Sequence, residues 1–265
     1  MRRLALLALA AALAAPTLSA APDPSALAQG SEIAYRRALS AEAAKKALNA
    51  DVAATQRLRR IANRLVGAAP AVAPASQGFR WEVNVRADPD ADVRAYPGGR
   101  LLVNDGLATR TGMKDDEVAA VLAHAIAHLL LGHDLARLPA APPGAPSADP
   151  NREALAWADA IAELARAPRW NAAQIEAADR MAAELVARAA YDPRAMGSAW
   201  RQLTRADGGI VRNAPVTEAR LAAIDDAARA NVTLFEETLA RAAAAPPGVR
   251  PPTGAPPRAG PPSMR

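Results

Sequence analysis

Ala, Leu and Ile recur at helical spacing between Arg, Lys and Glu from residue 31 to 66. This pattern predicts two amphipathic helices divided near Leu39-Ser40, with Ser40 able to start the second. The run 67 to 78 is rich in Ala, Pro and Gly and predicts a loop. Period-two alternation over 79 to 85 predicts a half-buried strand. Tyr96-Pro97-Gly98-Gly99 is a turn signal, and 100 to 104 predicts the strand that follows it. From Lys114-Asp115-Asp116-Glu117 the period becomes helical, with acids in the first turn where the helix dipole favours them. Residues 118 to 131 are apolar all round, which predicts a buried central helix ending at Gly132. A Pro/Ala/Gly loop over 139 to 150 precedes helices at 151 to 166, 172 to 190, 194 to 204, 216 to 229 and 232 to 243.

Composition narrows the class. The chain has 265 residues, 51% of them hydrophobic, enough for one compact domain with tails, and 3% aromatics leave packing to Ala, Leu, Val and Ile, which favours helices. Met1-Arg2-Arg3 and the apolar run to about Leu18 have the form of a secretory leader, expected over 1–21, which places the mature protein in the periplasm or otherwise outside the cytoplasm. The domain is expected over 22–245. The last twenty residues, 246–265, include eight prolines and are expected to be an extended, disordered tail. No cysteine is present, which excludes disulfides and thiol chemistry. The formal charge of +5 falls to +3 without Arg2 and Arg3, and no basic stripe carries interleaved aromatics, so nucleic acid is not an expected partner. Once the leader is removed no transmembrane span is expected, since the central apolar run is short and contains two histidines.

The chemistry concentrates at 124 to 128, His-Ala-Ile-Ala-His. Histidines four apart on a helix differ by about 40° around the axis and about 6 Å along it, so both rings can face one ion. This is the frame of the HExxH zinc motif, in which the glutamate after the first histidine takes a proton from metal-bound water. Ala125 stands at that place and cannot do so. The residues alone leave two readings of His124 and His128 open, a weak metal site or two buried imidazoles hydrogen-bonded to Asp179 or to backbone. His133 is expected to be an exposed cap at the helix C-terminus.

With this helix in view, residues 80 to 225 resemble the HtpX/BepA-like zinc metallopeptidases, gluzincin-type endopeptidases with members in envelope protein quality control. The resemblance is carried by Ala95-Tyr96-Pro97-Gly98-Gly99-Arg100 with Val103 and Gly106-Leu107. It continues in the run from Asp116 to His124, in Ala178-Asp179-Arg180 and in Ala190-Tyr191-Asp192-Pro193. It implies that His124 and His128 are the first two zinc ligands and that Asp179 orients a histidine from behind. It also implies three losses. The base falls on Ala125, the third ligand falls on Ile175 with Glu176 one place late, and a histidine before proline falls on Ala214 in Asn213-Ala214-Pro215, ahead of Arg220.

General base catalysis supplies roughly 3–5 kcal/mol of barrier lowering. Each ligand of a structural zinc is worth on the order of 3 kcal/mol. The expectation is therefore a mostly helical α+β, zincin-like metallopeptidase domain with a small antiparallel sheet beside the HxxxH helix. It is catalytically silent or severely impaired, and zinc is weakly held or absent. What remains is a substrate groove along an edge strand, with Leu101, Leu102 and Val103 as its candidate residues, where extended or unfolded polypeptides would bind a chaperone or adaptor. The rival is an active zinc endopeptidase in envelope quality control, with Glu176 as third ligand and an unconventional base. A third reading is a structural envelope protein whose groove has filled in, marked by a closed apolar surround at His124.

Overall fold

Asp23 accepts the Ser25 backbone N–H at 2.9 Å and starts a helix that runs unbroken to Ala44. The computed structural model describes residues 23–139, 149–167 and 170–244, so the expected leader and tail lie outside the described residues. This first helix, α1, spans Pro24–Ala44, and α2 spans Val52–Val72. The break between them falls after Ala44 rather than at Leu39-Ser40, because Leu39 is buried and continues the apolar face of α1. Helix α2 also runs through much of the expected loop. Alanine is the best helix former, and Pro70 removes an N–H only two residues before the helix stops.

The sheet has three strands, β1 (Glu82–Arg86), β2 (Val93–Tyr96) and β3 (Arg100–Asn104), in the order β1-β3-β2. Strand β3 pairs parallel with β1 and antiparallel with β2, so the sheet is mixed, not antiparallel. The proposed groove residues Leu101, Leu102 and Val103 are therefore misplaced. They lie on the central strand, fully buried, with neighbours hydrogen-bonded on both sides, whereas a docking peptide needs an unpaired edge. The unbroken Leu-Leu-Val run follows from burial on both faces. Leu101 and Val103 join the main core and Leu102 the layer opposite. Gly98 and Gly99, both at positive φ (86° and 95°), turn β2 into β3, and a side chain at Gly99 would meet Phe79 and Trp81 at 3.0 Å.

After a short helix α3 (Gly106–Thr109), the central helix α4 spans Asp115–Leu130. It is buried on every side, by α2, β2, α6 and α7. Its first turn is tied down by the Lys114 backbone N–H, which donates to Glu117 Oε2 at 2.8 Å, and by Ser198 Oγ, which donates to Glu117 Oε1 at 2.7 Å. The remaining helices are α5 (Pro150–Arg166), α6 (Ala172–Arg188), α7 (Met196–Arg205), α8 (Gly209–Asn213), α9 (Glu218–Ala230) and α10 (Val232–Ala244). Helices α2 and α4 pack on one face of the sheet, and α1 with α5 on the other. This is the mostly helical α+β architecture of a zincin-like domain. No helix among the described residues is long and apolar enough to cross a membrane.

Candidate metal centre

Helix α4 carries His124 and His128 on one face, as their spacing requires, and both are fully buried. Their Nε2 atoms lie 3.2 Å apart. Two nitrogens bound to one tetrahedral zinc at about 2.0–2.1 Å would be about 3.3 Å apart, so the pair alone has the spacing of two ligands. Behind it, Asp179 Oδ1 on α6 lies 2.8 Å from His124 Nδ1, close enough to favour a hydrogen on that nitrogen but not aligned as a hydrogen bond. Arg220, in the first turn of α9, donates to both Asp179 oxygens at 2.8 and 3.0 Å.

Helix α4 ends in a Schellman turn. Gly132 adopts φ 67°, its N–H donates to the Leu129 carbonyl, and the His133 N–H donates to the His128 carbonyl at 3.1 Å. This turn folds His133 back along the helix, so its Nδ1 comes to 2.9 Å from His128 Nδ1. His133 is thus half-buried and engaged, not the exposed cap that the sequence suggests.

The three imidazoles form a ladder with a definite proton order. Between two ring nitrogens in contact one must carry a hydrogen and the other must not. With the hydrogen of His124 on Nδ1, the order is His133 Nδ1–H to His128 Nδ1, then His128 Nε2–H to His124 Nε2. Every ring is neutral in this arrangement. Burial pushes the His128 imidazole far below its usual range, and the neighbouring His124 and His133 push the same way. Burial also holds His124 down, against the pull of Asp179. Burial acts to raise Asp179, but His124 and the Arg220 guanidinium outweigh it and keep the carboxylate ionised.

Tryptophans close the surround. The Trp170 indole stacks on the His128 ring at 3.6 Å and 19°, and the Trp200 ring stands edge-on to His124 at 4.9 Å. The Arg220 guanidinium lies over the Trp200 ring, 4.1 Å from its centroid. Asp134, just past the ladder, is 7% exposed and burial raises its carboxyl to about 6. The Trp170 indole favours the ionised form of Asp134, yet Trp170 Nε1 and Asp134 Oδ2 complete no hydrogen bond. An open cleft of about 580 Å³ lies elsewhere, between α1, Arg80 and the Pro97-Gly98 turn, and none of the three histidines lines it.

The positions expected to complete a zinc site do not do so. Ala125 is buried and has no titratable atom. Ile175 lies one turn before Asp179 and is 8% exposed. Glu176 does not replace it, because one residue further along α6 turns its side chain to solvent, 58% exposed and paired with Arg180. Ala214 is buried, and its carbonyl accepts from Arg220. Among the described residues no group of three or more His, Cys, Asp or Glu side chains is arranged to hold a metal ion. Zinc would find two protein ligands here where the site needs three, so the residues present do not fit a catalytic zinc.

The helix with its paired histidines, flanked by the sheet, can be compared with known proteins. Residues 53–142 match the model of peptidase family M48. The M48 match takes in α2, the sheet and the whole of α4, and stops short of α6 and α9, which bring Asp179, Ile175 and Arg220. The chain is also 37% identical over 67 residues to the mitochondrial metalloendopeptidase OMA1 of Saccharomyces cerevisiae. That alignment covers 24% of this chain and 19% of the yeast protein, so the chain spans about a fifth of that relative's length. The M48 likeness supports a metalloendopeptidase-like domain.

Sequence reasoning anticipated His124, His128 and Asp179. It missed Trp170, Trp200, Asp134 and the inward turn of His133. Apart from the Gly132-His133 pair, one usable signal was the scarcity of tryptophan, four in a chain with 3% aromatics, of which two stand against one imidazole pair.

Proposed function

We propose that this protein is an exported M48-type metalloendopeptidase relative that has lost peptide hydrolysis and serves as a chaperone or adaptor for envelope polypeptides. The observation that carries the loss is the placement of Ala125 and Ile175 at the base and third-ligand positions around two wholly buried imidazoles. Peptide hydrolysis by this type of site needs a polarised water and a group to take its proton, and neither has a side chain to supply it. Export rests on the charged and apolar first residues. Polypeptide binding rests on a strand edge, a position that β2 has in this sheet and β3 does not.

A second reading, a structural envelope protein whose groove has filled, is favoured by the stacking of Trp170 on His128. One experiment separates the readings. The full-length protein with added zinc is tested for casein cleavage and for binding of a permanently unfolded, carboxymethylated polypeptide. Binding without cleavage is expected. Cleavage that a chelator abolishes would refute the loss of activity, and absence of binding would favour the structural reading. The double variant Ala125→Glu with Ile175→Glu is expected to gain zinc, since it restores a carboxylate at each lost position.

A further inference from the structure

The open cleft of about 580 Å³ near the start of α1 takes no part in the imidazole ladder, and apolar side chains line much of it. Pro24, Leu27 and Ala28 line it from the first turns of α1, Pro97 from the turn between β2 and β3, and Leu135 from the turn after α4. A helix face that meets only water would carry polar residues at such positions. Leu135 is 44% exposed, so its side chain is left outside the core. Apolar side chains grouped in a hollow of this size, within the roughly 300–1,000 Å³ of clefts that take small ligands, mark a binding surface.

Contacts within the protein hold the cleft in shape and use the three carbonyls of its turn. The Pro97 carbonyl accepts from Ser31 Oγ at 2.6 Å and from Arg100 Nη1 at 3.3 Å. The Gly98 carbonyl accepts the Arg80 N–H at 2.9 Å, and the Gly99 carbonyl accepts the Glu82 N–H at 3.0 Å. An extended peptide needs free main-chain groups, and Pro97 has no N–H to offer one. Glu32 and Arg100 on the cleft wall pair with each other, and Arg36 Nε also donates to Glu32 at 2.6 Å. Arg80 is different. Its guanidinium lines the cleft, is exposed, and pairs with no carboxylate among the described residues. The cleft thus joins an apolar bed to one unanswered positive charge.

We propose that this cleft binds a fatty-acid anion, with the acyl chain against Leu27, Ala28, Pro97 and Leu135 and the carboxylate held by Arg80. An acyl chain has no backbone groups to satisfy, which suits a hollow whose own carbonyls are already engaged. The planar guanidinium matches a carboxylate through two parallel N–H···O bonds, so one arginine suffices to fix the charged end. Affinity then grows with chain length, because each added methylene buries more apolar surface until the cleft is full. The inference depends neither on the loss of peptide hydrolysis nor on polypeptide binding at the β2 edge.

The test is calorimetric titration of the full-length protein with dodecanoate, kept below its micelle concentration. One saturable site per chain is expected, with octanoate weaker by about tenfold or more. Arg80→Gln should weaken dodecanoate about tenfold or more by removing the charged partner. Leu135→Glu should do the same by placing a like charge in the apolar bed. Both side chains are exposed, so both variants should fold, and circular dichroism checks that they do. Leu239→Glu, at a comparably exposed leucine of α10, should bind as the unaltered protein does. Absence of saturable binding overturns the proposal, as does uptake of several molecules per chain. So does binding that Arg80→Gln leaves unchanged, or that Leu239→Glu weakens as much as Leu135→Glu. Displacement of dodecanoate by an equal or lower concentration of an apolar decapeptide amide would assign the cleft to polypeptide and overturn it too.

Discussion

Asp134 departs from the ordinary behaviour of its type. It is a carboxyl buried beside Trp170, and burial raises it to about 6 from its ordinary 3.8. In the unfolded chain it ionises near the lower value. Its contribution favours the folded state fully below about pH 4 and is lost as pH rises through 6, above which a buried charge must be carried. Asp134→Asn is therefore expected to stabilise the protein at pH 8, by at most about 3 kcal/mol, and to change little at pH 4. Urea unfolding at the two pH values checks this, and a gain of equal size at both would contradict it. The residue scale is also where the sequence was most and least informative. His124 and His128 declared themselves because helical spacing is local. Trp170 and Trp200 reach them from 42 and 76 residues beyond His128 and His124 respectively, through tertiary packing that no local period encodes. Gly132 stood between the two cases. Its role as a helix stop was legible, but not that the same turn would bring His133 back to His128.

At the scale of elements, small residues determine how closely α1 meets α5. A side-chain carbon at Gly30 would lie 2.5 Å from Trp157 Cβ and 2.9 Å from the Ala154 carbonyl oxygen. In an open helix Gly→Ala gains about 1 kcal/mol. Here the helices must part, so Gly30→Ala is expected to cost about 1–3 kcal/mol instead. Denaturant unfolding gives the sign directly, and a net gain would show that the two helices are less closely packed. Element boundaries were legible where a cap or turn residue fixed them, as at Gly132 and at Gly98-Gly99. They failed where two signals competed, as in α2, where buried alanines carried the helix past Pro70. Strand β2 was missed because four residues offer too little alternation to recognise. With it went the sheet order, and so the distinction between a central strand and the edge.

At the scale of the molecule, the stretch that resembles peptidase family M48 holds the sheet and the central helix, Asp179 stands behind its first histidine, and Ala125 and Ile175 lie buried beside the pair. The imidazole ladder, Asp179, Arg220 and the two tryptophans pack against one another there, although His124 Nδ1 and both indole nitrogens complete no hydrogen bond. A buried imidazole pair without a metal needs a hydrogen between its Nε2 atoms, whereas a metal needs both lone pairs, so the two states exclude each other. The most direct test is the zinc content of the purified full-length protein, measured by mass spectrometry after equilibration with excess zinc and desalting. The account predicts about a tenth of an ion per chain or less, as expected for two ligands where three are needed. One firmly retained zinc per chain would contradict it.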